Sequence, residues 1–131
     1  MVIDCGFLSR CLVWKIVLFQ TNRDGLASTI AGGYGQESSH DYQTIGGGYV
    51  NSNAGKYGVL HGGYLNTNGV TMGTLQGGMS NFISGYGGTV VGGEENTVED
   101  SVFGAIGGGY LQTVWGDYGS VAGGGGNKVS F

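Results

Sequence analysis

The chain has 131 residues, no proline, 31 glycines and a formal net charge of −4. A length of this order suits one modest domain without a separate catalytic module, and the missing proline excludes collagen and polyproline linkers. Basic residues number five against nine acidic ones, with only Lys56 and Lys128 beyond Gly25; phosphate binding needs lysine and arginine in quantity, so nucleic acid is not an expected partner.

Residues 1–26 differ from everything after them. The run Phe7–Phe19 is mostly apolar but is interrupted by Ser9, Arg10 and Lys15. It is too short and too charged for a membrane span, which takes about 20 apolar residues. Asp4 precedes the run and no small-residue cleavage pattern follows it, unlike a secretory leader. Val13, Trp14, Ile16, Val17, Leu18 and Phe19 are apolar and rich in β-branched and aromatic types, which favours a strand. An exposed strand of this kind aggregates. The segment is therefore expected either to cap the first repeat or to pack between subunits. Cys5 and Cys11 both fall in it, and small apolar side chains are preferred over a local disulfide. Thr21–Gly25 supplies turn chemistry leading into the next region.

Residues 27–131 repeat one phrase seven times. Its anchor is a glycine pair: Gly32-Gly33, Gly47-Gly48, Gly62-Gly63, Gly77-Gly78, Gly92-Gly93, Gly108-Gly109 and Gly123-Gly124. Every step is fifteen residues except the fifth, where one extra residue enters between Glu99 and Gly104. Glycines held in this phase argue against disorder. Two positions before each pair stands an aliphatic residue: Ile30, Ile45, Leu60, Leu75, Val90, Ile106, Val121. Three positions after it stands an amide: Gln36, Asn51, Asn66, Asn81, Asn96, Gln112, Asn127. A fixed period in this range marks stacked coils.

One phrase accounts for one coil. Thr44-Ile45-Gly46 is predicted to extend with Ile45 inward and Thr44 outward. Gly47-Gly48 permits positive φ and a sharp turn. Tyr49–Asn53 is predicted to extend again, and Ala54–Gly58 to turn back. Seven such coils at the ~4.8 Å strand spacing make a rod of roughly 30–35 Å. Stacking turns equal positions into columns. The aliphatic column has no polar member and is assigned to the core, with a second column in the later coils at Ile83, Val98, Val114 and Val129, where the earlier coils carry Ser38, Asn53 and Asn68. The outward column Thr29, Thr44, Val59, Thr74, Thr89, Ala105, Ser120 is mostly hydroxyl. The amides suit rung-to-rung hydrogen bonds or turns better than ligand binding. Tyr34, Tyr49, Tyr64 and Tyr110 form a broken aromatic stripe, read as a packing surface ahead of a glycan-stacking one. So little interior per coil calls for self-association.

The phrase Gly-Gly-Tyr-x-Asn-x-x-x-Gly-x-Tyr, best copied around Thr44–Tyr49, resembles the head repeats of trimeric autotransporter adhesins. It is closer still to fifteen-residue variants in phage tail fibres and bacterial surface proteins. The likeness covers Ser28–Phe131 and implies a homotrimer of left-handed parallel β-rolls engaged in surface attachment. The best-known head repeat is one residue shorter and alanine-rich, and neither a heptad stalk nor a membrane-anchor barrel follows here. A virion component or assembly subunit is thus expected ahead of a complete autotransporter.

Catalytic signals are sparse. Phosphate-cradling glycine motifs do not occur, and His40 and His61 fall at unequal phases, so neither cofactor nor metal is expected. Glu94, Glu95, Glu99 and Asp100 read as a solvated acidic rim in preference to a Ca²⁺ site. Acid–base catalysis needs a cleft that a thin solenoid does not offer. The expectation is an all-β parallel solenoid of seven coils without enzymatic activity, extracellular or on a virion. It would serve as a fibre, spike or adhesin whose partners are its own copies and a surface receptor or glycan. A self-assembling extracellular filament is the alternative. An ice-binding solenoid is weaker, because Val59 and Ala105 interrupt the hydroxyl column.

Overall fold

The computed structural model describes residues 17–18, 20–23 and 26–130. Within them the chain is a parallel β-solenoid built from a seven-stranded and an eight-stranded sheet. Each coil contributes one two-residue strand to each sheet. The first sheet runs from Thr29–Ile30 through Thr44–Ile45, Val59–Leu60, Thr74–Leu75, Thr89–Val90 and Ala105–Ile106 to Ser120–Val121. The second begins at Thr21–Asn22 and continues through Glu37–Ser38, Ser52–Asn53, Thr67–Asn68, Phe82–Ile83, Thr97–Val98 and Thr113–Val114 to Lys128–Val129. Pairing is in register at the repeat period, so Leu75 meets Leu60 on one side and Val90 on the other. A third ladder of single bridges ties Tyr34, Tyr49, Tyr64, Met79, Glu94, Tyr110 and Gly125 together.

Two-residue strands suffice because each places one side chain inward and one outward. Ile45, Leu60, Leu75 and Val90 are completely buried, and Ile30 and Val121 close the column at its two ends with slight exposure. Facing them, Ser38, Asn53 and Asn68 give way to Ile83, Val98 and Val114, all inaccessible to solvent. A complementary column keeps the volume constant. Where the second sheet carries Asn, Ile or Val, the residue beyond the turn is Gly58, Gly73, Gly88, Gly104 or Gly119, all buried. A Cβ at Gly88 would lie 2.7 Å from the Ile83 methyl, and one at Gly119 would lie 2.8 Å from Val114. In the first coil Ser38 is small, and the residue beyond the turn is Gln43 in place of glycine. Its side chain fills the space, accepting hydrogen bonds from the Ser38 hydroxyl and the Ser39 and His40 amides.

Two features differ from the sequence expectation. The second strand of a coil is Ser52–Asn53, shorter than Tyr49–Asn53. Val50 turns the chain at φ 50°, aiming its N–H back at the Tyr34 carbonyl at 2.7 Å. Within each glycine pair only the second member consistently turns, with φ between 89° and 107° along the column Gly33, Gly48, Gly63, Gly78, Gly93, Gly109 and Gly124. Its partner does not need the freedom: Gly77 has no positive φ, and a Cβ there would meet nothing. Parallel pairing also reaches residues of the N-terminal segment. Val17–Leu18 pairs with Gly33–Tyr34, and Thr21–Asn22 with Glu37–Ser38. Backbone pairing requires neither the glycine pair nor the amide that defines the phrase. Val13, Trp14, Ile16, Phe19, Cys5 and Cys11 lie outside the described residues. The extra residue of the fifth step is absorbed in a turn, where Asp100 takes φ 45°; the strands around it keep their register.

Candidate functional surface

The amide column is an internal spine. Gln36, Asn51, Asn66, Asn81, Asn96 and Gln112 are buried, while Asn127 in the last coil is exposed. Asn66 shows the pattern. Its Nδ2 donates to Gly62 O at 3.0 Å and to Gly78 O, one coil on, at 2.9 Å. Its Oδ1 accepts the backbone N–H of Asn81 at 3.0 Å. One side chain thus closes its own turn and clamps the next. Gln36 and Gln112 keep the acceptor role toward Asn51 and Asn127, but their longer amides donate to the carbonyls of Tyr34 and Tyr110. From Gln36 to Gln112 the buried amides direct their polar atoms chiefly at the backbone of their own and the next coil.

Two rows of exposed apolar side chains run along the turns that join the sheets. One edge carries Tyr34, Tyr49, Tyr64, Met79 and Tyr110, with Val50, Leu65 and Leu111 beside them. Tyr34, Tyr49 and Tyr64 stack with centroids 5.0 and 5.2 Å apart and nearly parallel rings. Stacked rings cover part of one another's faces, which favours packing along the row. Glu94 and Glu95 interrupt it at the fifth coil.

The other edge carries Tyr42, Tyr57, Met72, Phe103 and Tyr118, all exposed, and all with φ between 55° and 61°. At Gly87, the one coil without a side chain in this column, the neighbours close the gap. Tyr86 packs edge-on against Phe103 at 5.8 Å and directs its hydroxyl to the Met72 sulfur at 3.5 Å. The left-handed backbone has a local cause, since it turns each amide toward the preceding coil: Tyr57 N–H bonds Asp41 O and Met72 N–H bonds Lys56 O. Glycine would serve that bond with less strain, as Gly87 does to Thr71 O. The bond therefore does not account for bulky apolar side chains here.

The titratable residues singled out by sequence are dispersed. Glu94 and Glu95 sit at the first edge, whereas Glu99 and Asp100 sit in a turn of the second. Glu99 accepts the Trp115 indole N–H at 3.1 Å, and Asp117 accepts the Val102 amide at 2.8 Å. His40 and His61 are exposed in different coils. Among the described residues no three metal-capable side chains come together, and no helix is long and apolar enough to cross a membrane. No protein-family model, curated protein or solved structure matches the chain. Sequence reasoning missed the second apolar edge and the buried Gln43. The edge had a signal in the recurring Tyr42, Tyr57, Met72, Phe103 and Tyr118, each three residues before the buried position of the next strand.

Proposed function

We propose that the chain is a structural subunit that assembles with its own copies through its exposed edges, as part of a fibre, spike or adhesin on a virion or cell surface. The observation that carries this reading is the pair of apolar stripes running the length of the solenoid, one at each turn. Exposed apolar surface of this extent is uncommon on a lone soluble domain and usually marks an interaction surface. An in-register solenoid repeats its side chains every coil, so a second copy offers the same period for side-by-side packing. The repeat grammar adds support, because the proteins it resembles assemble as trimers for surface attachment. Light scattering combined with electron microscopy of the purified chain tests the reading. Discrete trimers are the expected result, and long fibres would favour the filament alternative. A chain that remains monomeric at high concentration would overturn self-assembly altogether.

A further inference from the structure

We propose that the edge bearing Tyr57, Met72, Phe103 and Tyr118 docks against the same edge of a second copy running antiparallel, with Gly87 on the two-fold axis. The inference rests on the self-assembly reading and adds a contact between its trimers, because a two-fold contact cannot join the members of one three-fold ring.

Charge and spacing determine the direction. The stripe is apolar except for residues beside it, and within its five coils from Tyr57 to Tyr118 these include Lys56 at one end and Asp117 at the other. Both are exposed. Each lies two coils from Gly87, about 10 Å at the ~4.8 Å coil spacing. Parallel, in-register pairing would set Lys56 against Lys56 and Asp117 against Asp117. Antiparallel pairing about Gly87 sets each Lys56 against the partner copy's Asp117, and symmetry makes that contact twice. The Lys56 ammonium already lies along the stripe, 5.4 Å from the Tyr57 ring centroid and 3.7 Å from Asp41.

Shape agrees with the same register. Gly87 is covered by the Phe103 and Tyr86 rings, so the two copies meet at the axis ring to ring. One coil away on either side Met72 of one copy faces Phe103 of the other, a favourable thioether–aromatic pairing. Two coils away Tyr57 meets Tyr118. The strain held at these φ-positive positions then has a use, because glycine there would satisfy the coil but leave the stripe bare. A stripe five coils long falls short of the ~800 Å² per partner typical of stable complexes. The contact is therefore weak alone and effective when repeated along an assembly.

The test uses the wild-type chain in an equal mixture of ¹⁴N- and ¹⁵N-labelled protein, treated with a carbodiimide that couples amine to carboxylate without a spacer. Lys56–Asp41 coupling within one chain is the internal control for reagent access. The expected product is a Lys56–Asp117 linked peptide pair carrying one label of each kind. Lys56→Glu should weaken association roughly tenfold, since it removes both symmetric ion pairs. Adding Asp117→Asn, which keeps an acceptor for the Val102 amide, removes the carboxylate–carboxylate repulsion and should recover part of that loss, the ion pairs themselves staying absent. Wild-type protein that assembles without a mixed-label Lys56–Asp117 product overturns this interface and leaves self-assembly standing. A monomeric wild type overturns both.

Discussion

Asn81 is where the spine is most completely hydrogen-bonded, so its replacement measures what the spine contributes. Its Nδ2 donates to Gly77 O and Gly93 O, each at 3.0 Å, and to Asn66 Oδ1 at 3.2 Å. Its Oδ1 accepts the Asn96 amide at 3.0 Å. Asn81→Ala leaves that buried N–H without a partner, at about 1–3 kcal/mol, and removes the bonds of the two amide protons, worth about 1 kcal/mol each. The total is about 3–5 kcal/mol. Asn81→Gln should cost only about 1 kcal/mol, because Gln112 performs the same task in its own coil with Nε2 turned to Tyr110 O. Asn81→Asp keeps the acceptor but aims an oxygen at two carbonyls, so near neutral pH it should cost more than alanine. Burial and those carbonyls raise the carboxyl's folded-state pKa above its unfolded value near ~4. The extra penalty is then absent below the unfolded value and grows as pH rises toward the folded one. Urea unfolding followed by circular dichroism, at fixed protein concentration and at two pH values, gives the order. Alanine as mild as glutamine, or an aspartate penalty independent of pH, would refute the clamp.

Gly78→Ala should cost several kcal/mol, since φ is 91° and the new Cβ collides with the Gly93 carbonyl; Gly77→Ala, with open space around it, should cost less than about 1 kcal/mol. Equal melting temperatures for the two would show that the pair is not used asymmetrically. Leu75→Asp puts a charge between Leu60 and Val90 in a dry column and should remove about 4 kcal/mol or more; an unaltered melting temperature and mass would mean that the inward face is misassigned. Met72→Gly should change the stability of the dilute chain by less than about 1 kcal/mol, because relief at φ 61° offsets added freedom in the unfolded chain. A loss of several kcal/mol in urea would mean that the stripe holds the coil together.

The fold was legible because parallel, in-register stacking converts sequence period directly into spatial columns. Once Ile30 through Val121 recur at one phase, their burial together needs no further information. The amide spine was legible for the same reason. Phase alone does not reveal backbone dihedrals. Gly77 and Gly78 look equivalent in sequence, and the positive φ of Gly78, with the Gly93 carbonyl of the next coil pressed against it, distinguishes them. The same limit hid the left-handed turns at Val50 and Tyr57, which β-branched and aromatic residues rarely adopt. Gln43 was missed because its burial depends on a partner five residues earlier, Ser38, being too small to fill the coil. The strand at Val17–Leu18 was legible from its β-branched and apolar residues, but it carries no repeat motif, so its partner, Gly33–Tyr34, was not.

A column of near-identical phrases carries a hazard of its own. The aliphatic members are interchangeable, so one coil could add to the wrong neighbour in another copy at small cost, the usual route to misassembly in repeat proteins. The second inward column removes much of that degeneracy. Asn53 and Asn68 hydrogen-bond each other at 3.2 Å and their own turns at 2.9 Å, whereas Ile83, Val98 and Val114 make a dry stack. Placing Asn68 on Val98 would strand a buried amide. The extra residue near Asp100 and the gap at Gly87 mark further coils as distinct from their neighbours. Each coil thus has a preferred neighbour, although the backbone pairing would accept any. The inequivalence also gives the outer edge a centre: Gly87 can lie on a two-fold axis because no other coil from Tyr42 to Tyr118 lacks a side chain in that column.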